Sequence, residues 1–281
     1  MEYRLLATSG VLFAAVGLAA PTSAAVVNSF APFTPTPTAG VWFESGVLGT
    51  GTASVVSLAG EGGNLENNQP LPVGAARLTT GFDNGDKAEV AVVDAYGNAR
   101  ALFSDSFSLD YSYYKQDVGN AFAAPSIKLT LRSAVCNSGD CFGTLIYEPS
   151  WNQSGSEGSS TAVPTDDWES VSITADSGLF WWNGGFGQTN SSGGPPLKTL
   201  TDWMAAFDSD FDSADLLALS MGVGTYNQGQ DTYFDDVSIS GNGYSASYDF
   251  EPAADVPVPS TLLLVAIGAL AGVSARRRPA R

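Results

Sequence analysis

The sequence predicts an all-β fold, a single antiparallel sandwich of two layers carrying one short helix. Three observations point there. Apolar and polar residues alternate with a period of two in stretch after stretch. Asn/Asp/Gly turns such as Asp83-Asn84-Gly85-Asp86 and Gly97-Asn98 separate those stretches. Only one segment of the body reads with helical spacing.

The strands are expected at 41–48, 54–58, 76–80, 88–94, 106–113, 127–132, 143–148, 168–174, 216–223, 232–239 and 244–250. In 106–113, Phe107, Leu109, Tyr111 and Tyr113 share one face and Ser106, Ser108, Asp110 and Ser112 the other. In 127–132, Ile127, Leu129 and Leu131 alternate with Lys128, Thr130 and Arg132. About eleven strands with one wet face each make a two-layer, jelly-roll-like sandwich. The helix is expected at 197–207, capped by Thr199 or Thr201, with Leu200, Trp203, Met204 and Phe207 as its apolar stripe. It is expected to plug one end of the sandwich.

Both chain ends read as addresses. The short head Met1-Glu2-Tyr3-Arg4, an apolar run from Leu5 to Ala20 and the small residues Ser23-Ala24-Ala25 make a secretory signal peptide over 1–25, removed by signal peptidase. Residues 26–39 form an extended lead-in, 40–251 the sandwich and 252–281 a C-terminal segment. No charge falls between Asp255 and Arg276, enough length for a helix across the inner membrane, and the Arg cluster after it fixes the cytoplasmic side.

The 281 residues contain 12 Lys+Arg against 29 Asp+Glu, a net charge of −17. Setting aside Glu2, Arg4 and the four arginines from Arg276 onward leaves 28 acids and 7 bases, so the body is near −21. Such a surface repels nucleic-acid phosphates, and no nucleic-acid partner is expected. Histidine is absent. That excludes Ser-His-Asp and Cys-His nucleophile systems and His-ligated metals. Cys136 and Cys141 enclose four residues and are expected to pair in an exported chain, pinning a hairpin tip for about 2–3 kcal/mol.

Five of the six tryptophans, Trp151, Trp168, Trp181, Trp182 and Trp203, fall between residues 144 and 210. Trp181 and Trp182 are adjacent, so on a strand only one can enter the core. With Asn152 and Asn183 in the polar loops beside them, Trp151, Trp181 and Trp182 are the candidate carbohydrate-binding residues, since an indole face stacks on a pyranose while amides bond its hydroxyls. A carboxylate-based glycan hydrolase or lyase is the alternative; it needs two acids from Glu148, Asp166, Asp167 and Glu169 within about 10 Å. No spacing sets up that pair, so no catalytic residue is assigned and the protein is read as a non-enzyme. Strict alternation in Thr232–Ile239 puts Tyr233, Asp235, Val237 and Ile239 on one face, where Asp235 needs a partner.

Two resemblances add to this reading. Val256-Pro257-Val258-Pro259, the apolar run after it and Arg276-Arg277-Arg278 resemble the PEP-CTERM sorting signal, with Pro-Val-Pro in place of the usual Pro-Glu-Pro. The resemblance implies processing by exosortase and a place in the envelope, at the cell surface or in the exopolysaccharide matrix of a Gram-negative bacterium. The body, through segments such as Gly85-Asp86-Lys87-Ala88-Glu89, Leu145-Ile146-Tyr147-Glu148-Pro149 and Phe234-Asp235-Asp236-Val237, resembles a family of exported β-sandwich proteins that carry this tail. The last of these segments also resembles the final strand of jelly-roll carbohydrate-binding modules. That likeness implies a structural Ca²⁺ at Asp235 with Glu44 as a second ligand.

Overall fold

A computed structural model describes residues 23–135, 140–153, 158–188 and 193–253. Its elements run β1 (Ala25–Val26), β2 (Phe43–Glu44), β3 (Thr52–Ser57), α1 (Gly63–Asn67), β4 (Gly74–Thr79), β5 (Ala88–Val93), α2 (Ala99–Leu102), β6 (Ser108–Lys115), β7 (Ser126–Ser133) and β8 (Phe142–Tyr147). They continue β9 (Trp168–Thr174), β10 (Phe180–Gly185), α3 (Leu200–Ala206), α4 (Asp208–Asp212), β11 (Ala214–Val223), β12 (Asp231–Gly241) and β13 (Tyr244–Asp249).

Two sheets form. In the first the order is β1-β13-β12-β4-β3, with β6 on β12 and β9 on β6. In the second it is β10-β8-β7-β11-β5-β2. All pairings are antiparallel except β1 on β13. The expected two-layer sandwich is the observed one. Phe107, Leu109, Tyr111 and Tyr113 of the β6 region and Ile127, Leu129 and Leu131 of β7 enter the shared core as their alternation requires.

Two aromatic clusters fill the interior under opposite edges of the second sheet. Trp42, just before edge strand β2, packs on Phe234, Tyr248 and Phe250 at ring-centroid distances of 6.2, 5.4 and 5.2 Å. Trp182 of edge strand β10 packs on Phe207, Phe186 and Trp203 at 4.9, 5.3 and 6.1 Å. The helix α3 supplies Trp203, and its Leu200 and Met204 are also buried. The indole of Trp203 donates to the Phe180 carbonyl at 2.9 Å, tying the helix to the end of β10. Thr199 is the cap: its hydroxyl accepts from the Asp202 N–H at 3.2 Å. Thr199→Ala is expected to lower stability by about 1 kcal/mol in denaturant unfolding, the usual loss for removing a capping hydroxyl.

Several features depart from the alternation. Strand β10 reads Phe-Trp-Trp-Asn-Gly-Gly and does not alternate, so it gave no strand signal. Asp208–Asp212, outside the one expected helix, form the short helix α4, which buries Phe211. The outer face of the first sheet is not wholly wet. Tyr114, Tyr233 and Trp168 there join Leu58 and Leu65 in a second small cluster. In the lead-in, Val27 is buried and Phe30 stacks on Phe250 at 6.1 Å.

The expected single face for Tyr233, Asp235, Val237 and Ile239 is corrected by a bulge. The register of β12 on β6 shifts between Asp235 and Ser238, and Asp236 takes a φ of 53°. Tyr233 falls in the outer cluster, whereas Val237 and Ile239 fall in the main core. The bulge sits where β12 changes neighbours, pairing β4 up to Phe234 and β13 from Val237 onward.

Among the described residues no helix is long and apolar enough to cross a membrane. The expected transmembrane segment, most of the signal peptide, and Cys136 lie outside the described residues. Cys141 lies inside them, immediately before β8.

Candidate functional site

The outward face of the second sheet carries the site. Register places Trp181 beside Ile146, Ile146 beside Lys128, Lys128 beside Ser220 and Ser220 beside Ala91, all on the side away from the core. The neighbouring row holds Ser126, Gly222 and Glu89. Gly222 is needed there: a Cβ would lie 2.9 Å from Cγ of Glu89, so the glutamate side chain leans across it. The Ser126 hydroxyl donates to the Gly222 carbonyl at 2.9 Å, giving a small, satisfied floor.

Loops wall this floor into a cleft of two compartments. The larger, about 530 Å³, is lined by Trp181, Ile146, Lys87, Lys128, Asn183 and Tyr226 among others. The smaller, about 200 Å³, is lined by Trp151, Phe122, Asn120, Ser150 and Ser160 among others. Glu148, Ser126, Gly193, Gly224 and Asn227 border both, so Glu148 stands at the junction. The side-chain amide of Asn120 donates to that of Asn227 at 2.9 Å and joins the walls of the smaller compartment. Tyr226 is exposed at the mouth with a φ of 65°, its N–H donating to the Asn84 carbonyl at 2.9 Å.

The electrostatics of the cleft are asymmetric. Burial pushes the Glu148 carboxyl above the ordinary range, against opposing pulls from Trp151, the Lys128 charge and Trp181. Burial also acts on Glu89, but there Lys128 and Lys87 outweigh it and hold the carboxyl below its ordinary range. Both ammonium groups meet the same oxygen, Oε2 of Glu89, Lys87 at 3.1 Å and Lys128 in close contact.

The predicted residues fare unevenly. Trp181 and Asn183 line the larger compartment and Trp151 the smaller. Trp182 is corrected: it is fully buried on the core side, because its neighbour Trp181 takes the outward face. Asn152 is also corrected. Its amide donates to the Glu148 and Leu179 carbonyls and accepts from the Leu179 N–H, so it braces the loop rather than lining the cleft. The acids of the hydrolase alternative do not gather. Glu148 is in the cleft, whereas Asp166, Asp167 and Glu169 lie at or beside the start of β9 in the other sheet. There Asp166 accepts from the Asp117 N–H and Asp167 from the Asn68 amide.

Asp235 and Glu44 lie on different sheets, on β12 of the first and β2 of the second. Among the described residues no group of three or more His, Cys, Asp or Glu side chains is placed to hold a metal ion. Asp235 accepts from the Phe250 N–H at 3.0 Å, and its other oxygen is buried without a partner. The sequence reading missed Lys87, Lys128, Asn120, Asn227 and Tyr226. They come from segments far apart in the chain and meet only through the strand register. The one signal that favoured Lys128 was its place on the polar side of the 127–132 alternation.

Residues 255–278 match the family described as the PEP-CTERM protein-sorting motif. The chain carries a PEP-CTERM sorting tail. The tail marks an exported envelope protein, and the match takes in Val256, Pro257, Val258, Pro259 and Arg276–Arg278, all outside the described residues. No curated protein matches the chain. Among solved structures, the body is similar to the family 11 carbohydrate-binding module from Clostridium thermocellum in complex with a β-1,3-1,4-mixed-linked tetrasaccharide. Identity is 13% over 71% of this chain and 88% of that one, with a TM-score of 0.38. The same family 11 module of a cellulosomal cellulase of Clostridium thermocellum gives 13% identity, 70% and 90% coverage and a TM-score of 0.36. An arabinose-bound α-L-arabinofuranosidase gives 9% identity over 71% of this chain and 23% of that one, with a TM-score of 0.32.

Proposed function

We propose that this PEP-CTERM-tailed protein is a non-catalytic polysaccharide-binding protein, processed by exosortase and held at the surface or in the extracellular matrix of a Gram-negative bacterium. The observation that carries the binding reading is the cleft. It has two compartments that share five lining residues, with one indole in each, Trp181 and Trp151. Amides stand beside them: Asn183 in the larger, Asn120 in the smaller and Asn227 in both. Apolar faces flanked by amide donors and acceptors suit sugar rings, whose C–H faces stack and whose hydroxyls pair. A polymer needs a trough longer than one ring, and the junction at Glu148 gives it one.

The test is affinity electrophoresis of the purified full chain in detergent against soluble polysaccharides. Retardation is expected, and Trp181→Ala and Trp151→Ala should each weaken it roughly tenfold, the equivalent of 1.4 kcal/mol. Retardation unchanged in both variants would remove the cleft as the binding site, and none in the wild type would remove the binding claim. For sorting, mass spectrometry of the mature C-terminus should show loss of the Arg276–Arg278 end only in cells that contain exosortase.

A further inference from the structure

We propose that the cleft takes an anionic sugar, a uronate or similarly acid-bearing residue whose carboxylate is received by Lys87 and Lys128. This rests on the polysaccharide-binding reading and narrows it to a substrate class. The body has seven bases against 28 acids, and two of the seven converge here. Both line the larger compartment, with side chains 22% and 18% exposed. Both contact one oxygen of Glu89, which is itself buried and is not part of the lining.

One ammonium is enough to neutralise a buried carboxylate. The second leaves a surplus positive charge at the cleft floor of a strongly acidic body. Each ammonium has three N–H donors and Glu89 takes one from each, so donors remain for a ligand. The third charged group lining this compartment is Glu148, at the junction with the smaller one, and burial raises its carboxyl above the ordinary range. Neutral sugars need none of this. A ligand carboxylate uses the surplus charge and the free donors together.

The experiment compares polygalacturonate and alginate with neutral mixed-linkage β-glucan and amylose in affinity gels run with the purified full chain. The acidic polymers should retard it more than the neutral ones. Lys87→Gln and Lys128→Gln should each weaken that retardation about tenfold, with Lys128→Arg close to wild type. A melting curve accompanies each variant. Lys87→Gln still leaves Glu89 paired with Lys128, so it decides the matter if Lys128→Gln fails to fold. Equal or stronger retardation by the neutral glucans, or acidic binding indifferent to both lysines, overturns the anionic-sugar inference and leaves the binding reading standing. Retardation by neither class overturns both.

Discussion

Trp182→Ala is expected to destabilise the protein by about 3–5 kcal/mol, more than Trp181→Ala next to it. The two indoles take opposite sides of β10, and Trp181, on the cleft side, keeps 8% of its surface exposed. Trp182 points inward, fully buried, and is enclosed by Phe186, just after its own strand, and by Trp203 and Phe207 in and at the end of α3. Truncation removes the contacts that hold α3 against the edge of the second sheet and leaves a cavity lined by aromatic rings that cannot all collapse into it. The neighbouring strand has made room for this ring. A Cβ at Gly143 would lie 2.1 Å from its Cη2, so Gly143→Ala should also destabilise, through overpacking. Urea unfolding of the three variants checks this. A loss below about 1 kcal/mol for Trp182→Ala would show that the ring does not anchor the core.

The second large effect is one of pH. Asp235 is fully buried at the β12 bulge, and burial pushes its carboxyl up to about 7. Backbone N–H groups of Phe250 and Asp236 pull the other way, and the nearby Asp249 and Asp236 carboxylates add to the rise. In the unfolded chain the group titrates near 4. Between these values the folded state holds a proton that the unfolded state has released, so stability is fully present at low pH and falls as pH rises from about 4 to about 7. A difference of roughly 3 pKa units corresponds to about 4 kcal/mol from this group alone. Asp236, Asp249 and Glu251 are also raised by burial and act in the same direction. Asp235→Asn keeps an acceptor for the Phe250 N–H and has no charge to bury. It should melt higher than wild type at pH 7.5, with a flatter pH profile, in thermal scans from pH 4 to 8. A profile as steep as wild type would assign the dependence to other groups.

How much of this was legible in the sequence follows from how local each feature is. Alternation in β6 and β7 named their core residues correctly, because a strand with one buried face writes its pattern into consecutive positions. The sandwich follows from many such strands. Lys115 shows the limit: it lies on the core side of β6, fully buried, satisfied by the carbonyls of Gln116 and Val118 and the side chain of Gln230. Alternation alone gives no warning of a charge there. β10 hid because Trp181 and Trp182, on opposite faces, are both apolar for different reasons, one lining the cleft and the other filling the core. At the site, the indoles were legible as unusual residues in a polar context. The lysine pair was not, since Lys87 and Lys128 are adjacent only through the pairing of β5 and β7 with β11. The bulge that moves Asp235 out of alternation was not legible either, because it marks a change of neighbouring strand and not a feature of its own sequence.

The order of the strands sets the order of events in making this protein. β11 joins β5 and β2 to β7, β8 and β10, and β12 joins β4 and β3 to β6 and β9. Both joining strands lie in the last third of the body, and β13, which receives β1, is later still. Until residue 223 is available the second sheet, and until residue 241 the first, exists only as unconnected halves, and the pairings of β12 with β4 and β6 close loops of more than a hundred residues. A chain built this way stays threadable while it is being passed across a membrane, and it locks into shape only when its final strands arrive on the far side.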